Sequence, residues 1–308
     1  MRELHLEERP TTLKQVVGQP EAIAQLAGLA KSESGIPHCL LFIGPSGCGK
    51  TTLARIVRHK LGCADADFCE VNAAENRGID MVRGIQARIN QAPMAGKCRV
   101  WLIDECHQLT ADAQGAFLKL LEEPPAHSYI MLATTDPQKL RKAIQTRATT
   151  IKVRDLTERE LGKLVQDKAE DNGLELDSKV VGKIAEVAEG SARKALVLLG
   201  QVAGIGKVDQ QLAVLENADA KAACIELCRA LIAGKDWGTV SKILLALDEE
   251  PETVRRMVLG YFNSVALKAG GGGAKAARAI GVMEAFECNY FDSGKAGLTI
   301  SCFNACSS

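Results

Sequence analysis

Between Cys39 and about Val153, short apolar runs alternate with stretches whose apolar residues recur at helical spacing. The runs CLLFI (39–43), VWLID (100–104) and YIMLATT (129–135) are apolar on both faces, as strands must be when helices cover both sides of a parallel sheet. Helices are predicted from Thr51 and from about Ala111, and a short strand follows Arg147 in AIQTRATTIKV (143–153). The pattern predicts an α/β domain over residues 1–154.

From Asp155 the strand signal stops. The run TERE (157–160) fits a capping box, in which the threonine hydroxyl and the glutamate three residues on satisfy free N–H groups at a helix start. A small helical domain is predicted over 155–206. Beyond it, KAACIELCRALIAG (221–234) and TVSKILLALDEEPETVRRMVLGYF (239–262) are again helical. GGGG (270–273) interrupts them, being too flexible for an element interior. Residues 207–308 are therefore expected to form a third, all-helical domain, with no internal repeat along the chain.

Composition narrows the classes open to such a chain. At 308 residues, 46% apolar and 25% charged, it has the length and balance of a globular protein of two or three domains. No run approaches the ~18–20 apolar residues of a membrane span and RELHLEERP after Met1 has no apolar leader, so a cytoplasmic protein is expected, or a nuclear one if the source is eukaryotic. The 11 cysteines are scattered and their closest pairs lack zinc-module spacing, which favours buried, reduced thiols. With 38 basic and 38 acidic residues, any nucleic-acid surface must be a local patch.

The first chemical motif is GPSGCGKTT (44–52), which fits G-x-x-x-x-G-K-[ST] and sits between an apolar strand and a helix. Gly44, Pro45, Ser46, Gly47, Cys48 and Gly49 would wrap backbone N–H groups around phosphates. Lys50 would reach the β- and γ-phosphates, and Thr51, followed by Thr52, would ligate Mg²⁺ at the helix N-terminus. Cys48 is expected to be a tolerated small residue rather than a redox switch.

VWLIDECHQL (100–109) supplies the second half of such a site. Asp104 falls at the carboxyl end of a buried strand, where ligands of open α/β sheets collect, and can hold Mg²⁺ through water. Glu105 beside it can orient an attacking water, so hydrolysis is implied. Cys106 and His107 invite a metal assignment, but two adjacent candidates without partners are expected to be structural. Thr134 and Thr135 end the next strand, on the same sheet edge as Asp104 if the strands are parallel, where a hydroxyl could hold the lytic water or sense the γ-phosphate.

Several further phrases occur in order: ERPTTLKQVVGQ (8–19), VNAAENRGIDMVRGI (71–85), LLEEPPAH (120–127), LATTDPQKL (132–140) and GSARKALVLL (190–199). Together with the motifs above they resemble the ATPase subunits of sliding-clamp loaders: the bacterial gamma/tau subunit, the replication factor C small subunits and the T4-like phage loader. The resemblance covers about residues 8–203. It implies an AAA+ module, a helical lid and a helical collar, assembled into a ring of five subunits that uses ATP and Mg²⁺ to open a sliding clamp and place it on primer–template DNA.

Residue by residue, the resemblance implies Arg9, Pro10 and Val17 near the adenine, Thr135 as sensor 1 and Arg193 as a lid arginine reaching the γ-phosphate in its own subunit. Arg147 falls where the family has Ser-Arg-Cys, its trans-acting arginine finger. Here the triplet is Thr146-Arg147-Ala148, keeping the arginine and losing the cysteine. The four-cysteine zinc insert of the bacterial gamma/tau subunit is absent.

Residues 77–99 hold Arg77, Arg83, Arg88, Lys97 and Arg99 against one acid, Asp80. The stripe Val82, Ile85, Ile89 would turn inward and leave the basic groups free to follow a phosphate backbone, with Arg83 and Arg88 the candidate DNA contacts. An ordinary solvated helix face is the alternative. Two competing functions stay open: another DNA-remodelling AAA+ enzyme such as a branch-migration motor, expected to end in a winged-helix domain, and a non-catalytic scaffold subunit, against which intact Lys50, Asp104, Glu105 and Arg147 speak.

Overall fold

The computed structural model describes residues 4, 8–247, 249–268 and 273–307, which form two compact units, Met1–Val208 and Asp209–Ser308. The first is built on five parallel strands: β1 (Cys39–Ile43), β2 (Phe68–Asn72), β3 (Arg99–Asp104), β4 (Ser128–Thr134) and β5 (Thr149–Lys152). Their spatial order is β2-β3-β4-β1-β5, so the strand that precedes the glycine-rich loop lies between β4 and β5. The expected parallel α/β architecture is borne out.

Five helices accompany these strands: α1 (Pro20–Lys31), α2 (Lys50–Lys60), α3 (Ile79–Arg88), α4 (Ala111–Glu122) and α5 (Lys142–Arg147). Because side chains alternate along a strand, the buried residues sort into two layers. Leu41, Trp101, Ile103, Ile130 and Leu132 pack with Val82, Ile85, Phe117, Leu121 and Ile144 in one core under α3, α4 and α5. Leu40, Phe42, Val100, Leu102 and Met131 point to the other face, where α2 packs on β1, β3 and β4 and buries Leu53, Ile56 and Val57.

Two sequence expectations change. The helix anticipated from Thr51 begins at Lys50, and β2 was not anticipated. β2 is an edge strand whose sequence FCEVN leaves Glu70 and Asn72 toward solvent, so it lacks the two-sided apolar signal of its neighbours.

Three more helices complete the first unit: α6 (Glu158–Asp171), α7 (Ser178–Val187) and α8 (Ala192–Val202). The Thr157–Glu160 capping box forms as the sequence predicts, and the Asp177 and Ser191 side chains cap the next two helices.

The second unit consists, among the described residues, of helices alone: α9 (Val208–Ile232), α10 (Trp237–Ala246), α11 (Pro251–Lys268), α12 (Ala274–Ala285) and α13 (Gly294–Ser307). Leu227, Leu231, Val254, Val258, Phe262, Phe286 and Leu298 form its core. Buried Glu252 accepts bonds from Arg255, Arg256 and the Tyr290 N–H, which tie the start of α11 to the segment before α13 and hold its carboxyl near a pKa of about 2. Of the GGGG stretch, Gly273 N-caps α12, while residues 270–272 lie outside the described residues.

Candidate nucleotide site

The carboxyl edge of the sheet in the first unit opens into a pocket. Its lining includes Arg9, Pro10, Val16 and Val17 from the N-terminal segment, Ser46 to Thr52, Asp104, Glu105, Leu156 from the segment after the sheet, and Leu164, Lys168, Arg193 and Leu196 from the helices that follow. Apolar side chains such as Val16, Val17, Leu156, Leu164 and Leu196 thus share the pocket with Lys50, Thr51, Asp104, Glu105 and Arg193.

The loop from Gly44 to Gly49 carries the chain from the end of β1 into α2. Gly47 and Gly49 have φ of 79° and 103°, in the left-handed region that glycine adopts most readily. Gly47 is also closely covered, since a Cβ there would lie 2.1 Å from Ser191 Oγ. The Lys50 ammonium is buried and donates to the carbonyls of Gly44 and Pro45 at 2.8 and 2.7 Å. Burial pulls its pKa below the ordinary lysine value, while Glu105 and Asp104 push the other way.

Thr51, in the first turn of α2, donates its hydroxyl to Asp104 Oδ2 at 3.0 Å. The other Asp104 oxygen accepts the Glu105 N–H at 2.9 Å. Glu105 itself sits at φ 48°, an unusual left-handed position for a non-glycine residue. Thr135 Oγ1 donates to Glu105 Oε2 at 3.4 Å, and His107 Nδ1 lies 3.2 Å from the same oxygen. Thr134 is fully buried at the end of β4 and faces His107.

The helices after the sheet are fastened to this loop. The Arg193 N–H donates to the Gly47 carbonyl at 3.2 Å, and the Cys48 thiol donates to Asp155 Oδ1 and to the Gly190 carbonyl. Burial, with Asp155 beside it, pushes the Cys48 thiol up to about 12, so it stays protonated and acts as a bond donor. Buried Gln19 completes the junction: its amide donates to the Arg154 and Cys48 carbonyls, and its oxygen accepts the Arg154 N–H. Sequence reasoning missed Gln19 and gave Cys48 no bonding role. The signal available was a polar residue at the end of an apolar VVG run.

Arg9, Pro10 and Val17, which the family resemblance would put near the adenine, all border the pocket. Burial, aided by the Arg55 and Arg193 guanidinium groups, pulls the Arg9 pKa below the ordinary arginine value. Arg147 is not part of the lining. It ends α5, is exposed, and pairs with Glu122 at the end of α4 across 2.8 Å.

The basic stretch after β2 divides. Arg83 and Arg88 are exposed on α3, but Arg83 pairs with Asp80 at 3.1 Å and Arg88 stands over the Trp101 ring. Arg99 departs from the expectation of a free basic group. It opens β3, is buried, and bonds to the Arg88 and Ala92 carbonyls, with Asp67 3.5 Å away. α3 ends at Arg88, so the helical stripe does not reach Arg99. All 11 cysteines are free and eight of them are buried, as the scattered spacing suggested.

Residues 65–157 match the family model described as DNA polymerase III, delta subunit. The chain is 32% identical over 222 residues to DNA polymerase III subunit gamma/tau of Mycobacterium tuberculosis, taking in 65% of this chain and 38% of that one. It is 32% identical over 226 residues to subunit tau of Escherichia coli, covering 66% and 35% respectively. Against subunit gamma of Buchnera aphidicola it is 31% identical over 220 residues, 60% of that relative. Its relatives are AAA+ clamp-loader subunits. The chain spans less than two thirds of the length of each. Among solved structures, the Thermotoga maritima RuvB Holliday junction branch migration motor superposes with a TM-score of 0.59 at 20% identity, over 73% of this chain and 79% of that one. At that identity the likeness shows the shared AAA+ fold.

Proposed function

We propose that the chain is an ATP-hydrolysing subunit of a sliding-clamp loader. The observation that carries this is the convergence of Lys50, Thr51, Asp104 and Glu105 in one pocket that is also walled by apolar side chains. Those apolar walls suit a purine base. The loop N–H groups and the N-terminus of α2 suit phosphates, with Lys50 exchanging its two carbonyl partners for phosphate oxygens.

Thr51 Oγ1 and Asp104 Oδ2 are hard oxygen donors on neighbouring elements, and among the described residues no three His, Cys, Asp or Glu side chains cluster as a metal cage. That combination fits Mg²⁺, which takes few protein ligands and completes its shell with phosphate and water. When bound, the ion would neutralise charge on the phosphates. Hydrolysis forms a bond from a water oxygen to the γ-phosphorus and breaks the bond to the β-phosphate bridging oxygen. Glu105 takes the water proton, and ADP and inorganic phosphate leave. Arg193 serves the γ-phosphate of its own subunit, and Arg147 that of a neighbour in a ring of subunits.

Clamp and primer–template DNA are the partners that the sequence relatives support, with Arg83 and Arg88 on α3 as phosphate contacts. The RuvB likeness does not favour a branch-migration motor, because the described residues of 208–308 are helical throughout, whereas a winged-helix domain needs a β-hairpin. No helix among the described residues is long and apolar enough to cross a membrane. Steady-state ATPase with and without primer–template DNA and a candidate clamp tests the proposal. Stimulation that needs both is the expected result; stimulation by four-way junction DNA with indifference to the clamp would replace it with the motor.

A further inference from the structure

His107 lies in a single 3₁₀ turn, Cys106–Gln108, directly after the strand that carries Asp104, and its side chain is 8% exposed. Its Nδ1 stands 3.2 Å from Glu105 Oε2 and 3.1 Å from Thr134 Oγ1. On the other side of the ring, the Gln108 amide nitrogen is 3.0 Å from Nε2. With the Gln108 amide N–H donating, Nε2 accepts, and the Nδ1–H is bonded to Thr134 Oγ1 with Glu105 Oε2 beside it.

The Thr135 Oγ1–H donates to Glu105 Oε2, and His107 Nδ1, bonded to Thr134 Oγ1, stands 3.2 Å from the same carboxylate oxygen. The other oxygen, Oε1, receives no such bond among the described residues, and Glu105 borders the pocket. A glutamate leaving the chain at φ 48° has three free side-chain torsions to fix, and nothing in its backbone fixes them. A metal role for Cys106 and His107 finds no support: Cys106 is deeply buried, its thiol pushed far above the ordinary range, and the described residues hold no metal-ligating cluster.

We infer that His107 is a positioning residue for the ATPase reaction, holding Oε2 of Glu105 so that Oε1 faces the attacking water. The inference rests on the assignment of Glu105 as the proton acceptor. The ring is buried against the end of β4 and bonded there to Thr134 Oγ1.

The test compares His107→Ala, His107→Asn and His107→Gln in the full chain, measuring ATPase turnover, ATP affinity by titration and thermal midpoint. Asparagine places an amide N–H where Nδ1–H stands; glutamine places it one bond further out. His107→Ala should lower kcat about 10- to 100-fold with ATP affinity changed less than about threefold, the loss expected when a reacting group is misplaced. His107→Asn should recover most of that loss, and His107→Gln should not. Combining His107→Ala with Glu105→Gln should add nothing to Glu105→Gln alone. Equal losses in the Ala and Asn variants at unchanged thermal midpoint, or full turnover in His107→Ala, would overturn the inference. If Glu105→Gln itself turns over normally, the assignment of the base has failed, and the role of His107 falls with it.

Discussion

The Thr51 hydroxyl and Asp104 Oδ2 are bonded across 3.0 Å, joining the first turn of α2 to the end of β3. Two oxygens from separate elements meet there because the parallel sheet aligns all its carboxyl ends on one edge. Asp104→Asn keeps the shape and removes the charge. It should weaken Mg²⁺-dependent ATP binding about 10-fold and leave binding in EDTA nearly unchanged. Titrations with and without the chelator check this; equal weakening in both would detach Asp104 from the ion.

Lys50 and Glu105 border the same pocket but should fail differently. Lys50→Ala removes a charge-assisted bond to phosphate and should cost about 10- to 100-fold in ATP affinity. Glu105→Gln should bind ATP within about threefold of the parent and lose about 100-fold or more in turnover. Two variants equally unable to bind ATP would make Glu105 a binding group.

Asp67 is buried and accepts the backbone N–H groups of Met94, Ala95 and Gly96 at 2.6, 2.9 and 2.7 Å. These bonds, with Arg99 nearby, hold its carboxyl down to about 2. An unfolded aspartate titrates near 3.9. The folded state therefore gains stability above about pH 4, and loses it as pH falls from there toward about 2. Asp67→Asn should melt several degrees below the parent at pH 7, and the gap should shrink below pH 4. Melting curves at pH 7 and pH 3 with an unchanged gap would contradict this.

The elements that the sequence announced most clearly are those buried on both faces, because β1, β3 and β4 present uninterrupted apolar runs bounded by turn signals. β2 was hidden because an edge strand needs only one apolar face. The glycine-rich loop, Thr51, Asp104 and Glu105 were visible because their spacing repeats a fixed geometry. Gln19, Asp155 and Gly190 were not, since each acts through long-range bonds to the loop or the chain beside it, and no local pattern encodes a contact separated by more than 100 residues. Arg99 was expected to be a free basic group because it belongs to the basic stretch 77–99, while the carboxylate that pairs with it, Asp67, lies just before β2, more than 30 residues earlier.

Arg83 and Arg88 are exposed on α3, Arg83 paired with Asp80 and Arg88 bonded to the Gly84 carbonyl and set over the Trp101 ring. If both follow a DNA backbone, replacing each with Ala should weaken binding to unrelated sequences alike and flatten the log affinity against log salt slope by about 0.9 per contact. Basal ATPase should hardly change. Fluorescence titrations at several salt concentrations measure the slope; an unchanged slope in both variants would leave these arginines as solvated surface.

Arg147 pairs with Glu122 at 2.8 Å, and both side chains are partly exposed, an arrangement worth only about 0–1 kcal/mol. The guanidinium, which also donates to the Ala143 carbonyl, is thus only weakly held at the end of α5; if it serves the phosphate oxygens of a neighbouring subunit, as proposed, such a group can contribute roughly 10³–10⁵ in rate. Mixing two inactive proteins tests this most directly. Arg147→Ala keeps a complete site of its own; Glu105→Gln keeps the arginine and cannot turn over its own ATP. In a co-assembled mixture, a Glu105→Gln subunit that lends Arg147 to the nucleotide of an Arg147→Ala neighbour restores one whole site, so DNA-stimulated ATPase should return in part. A mixture no more active than either parent, with alternating co-assembly confirmed, would place Arg147 at its own site or outside catalysis.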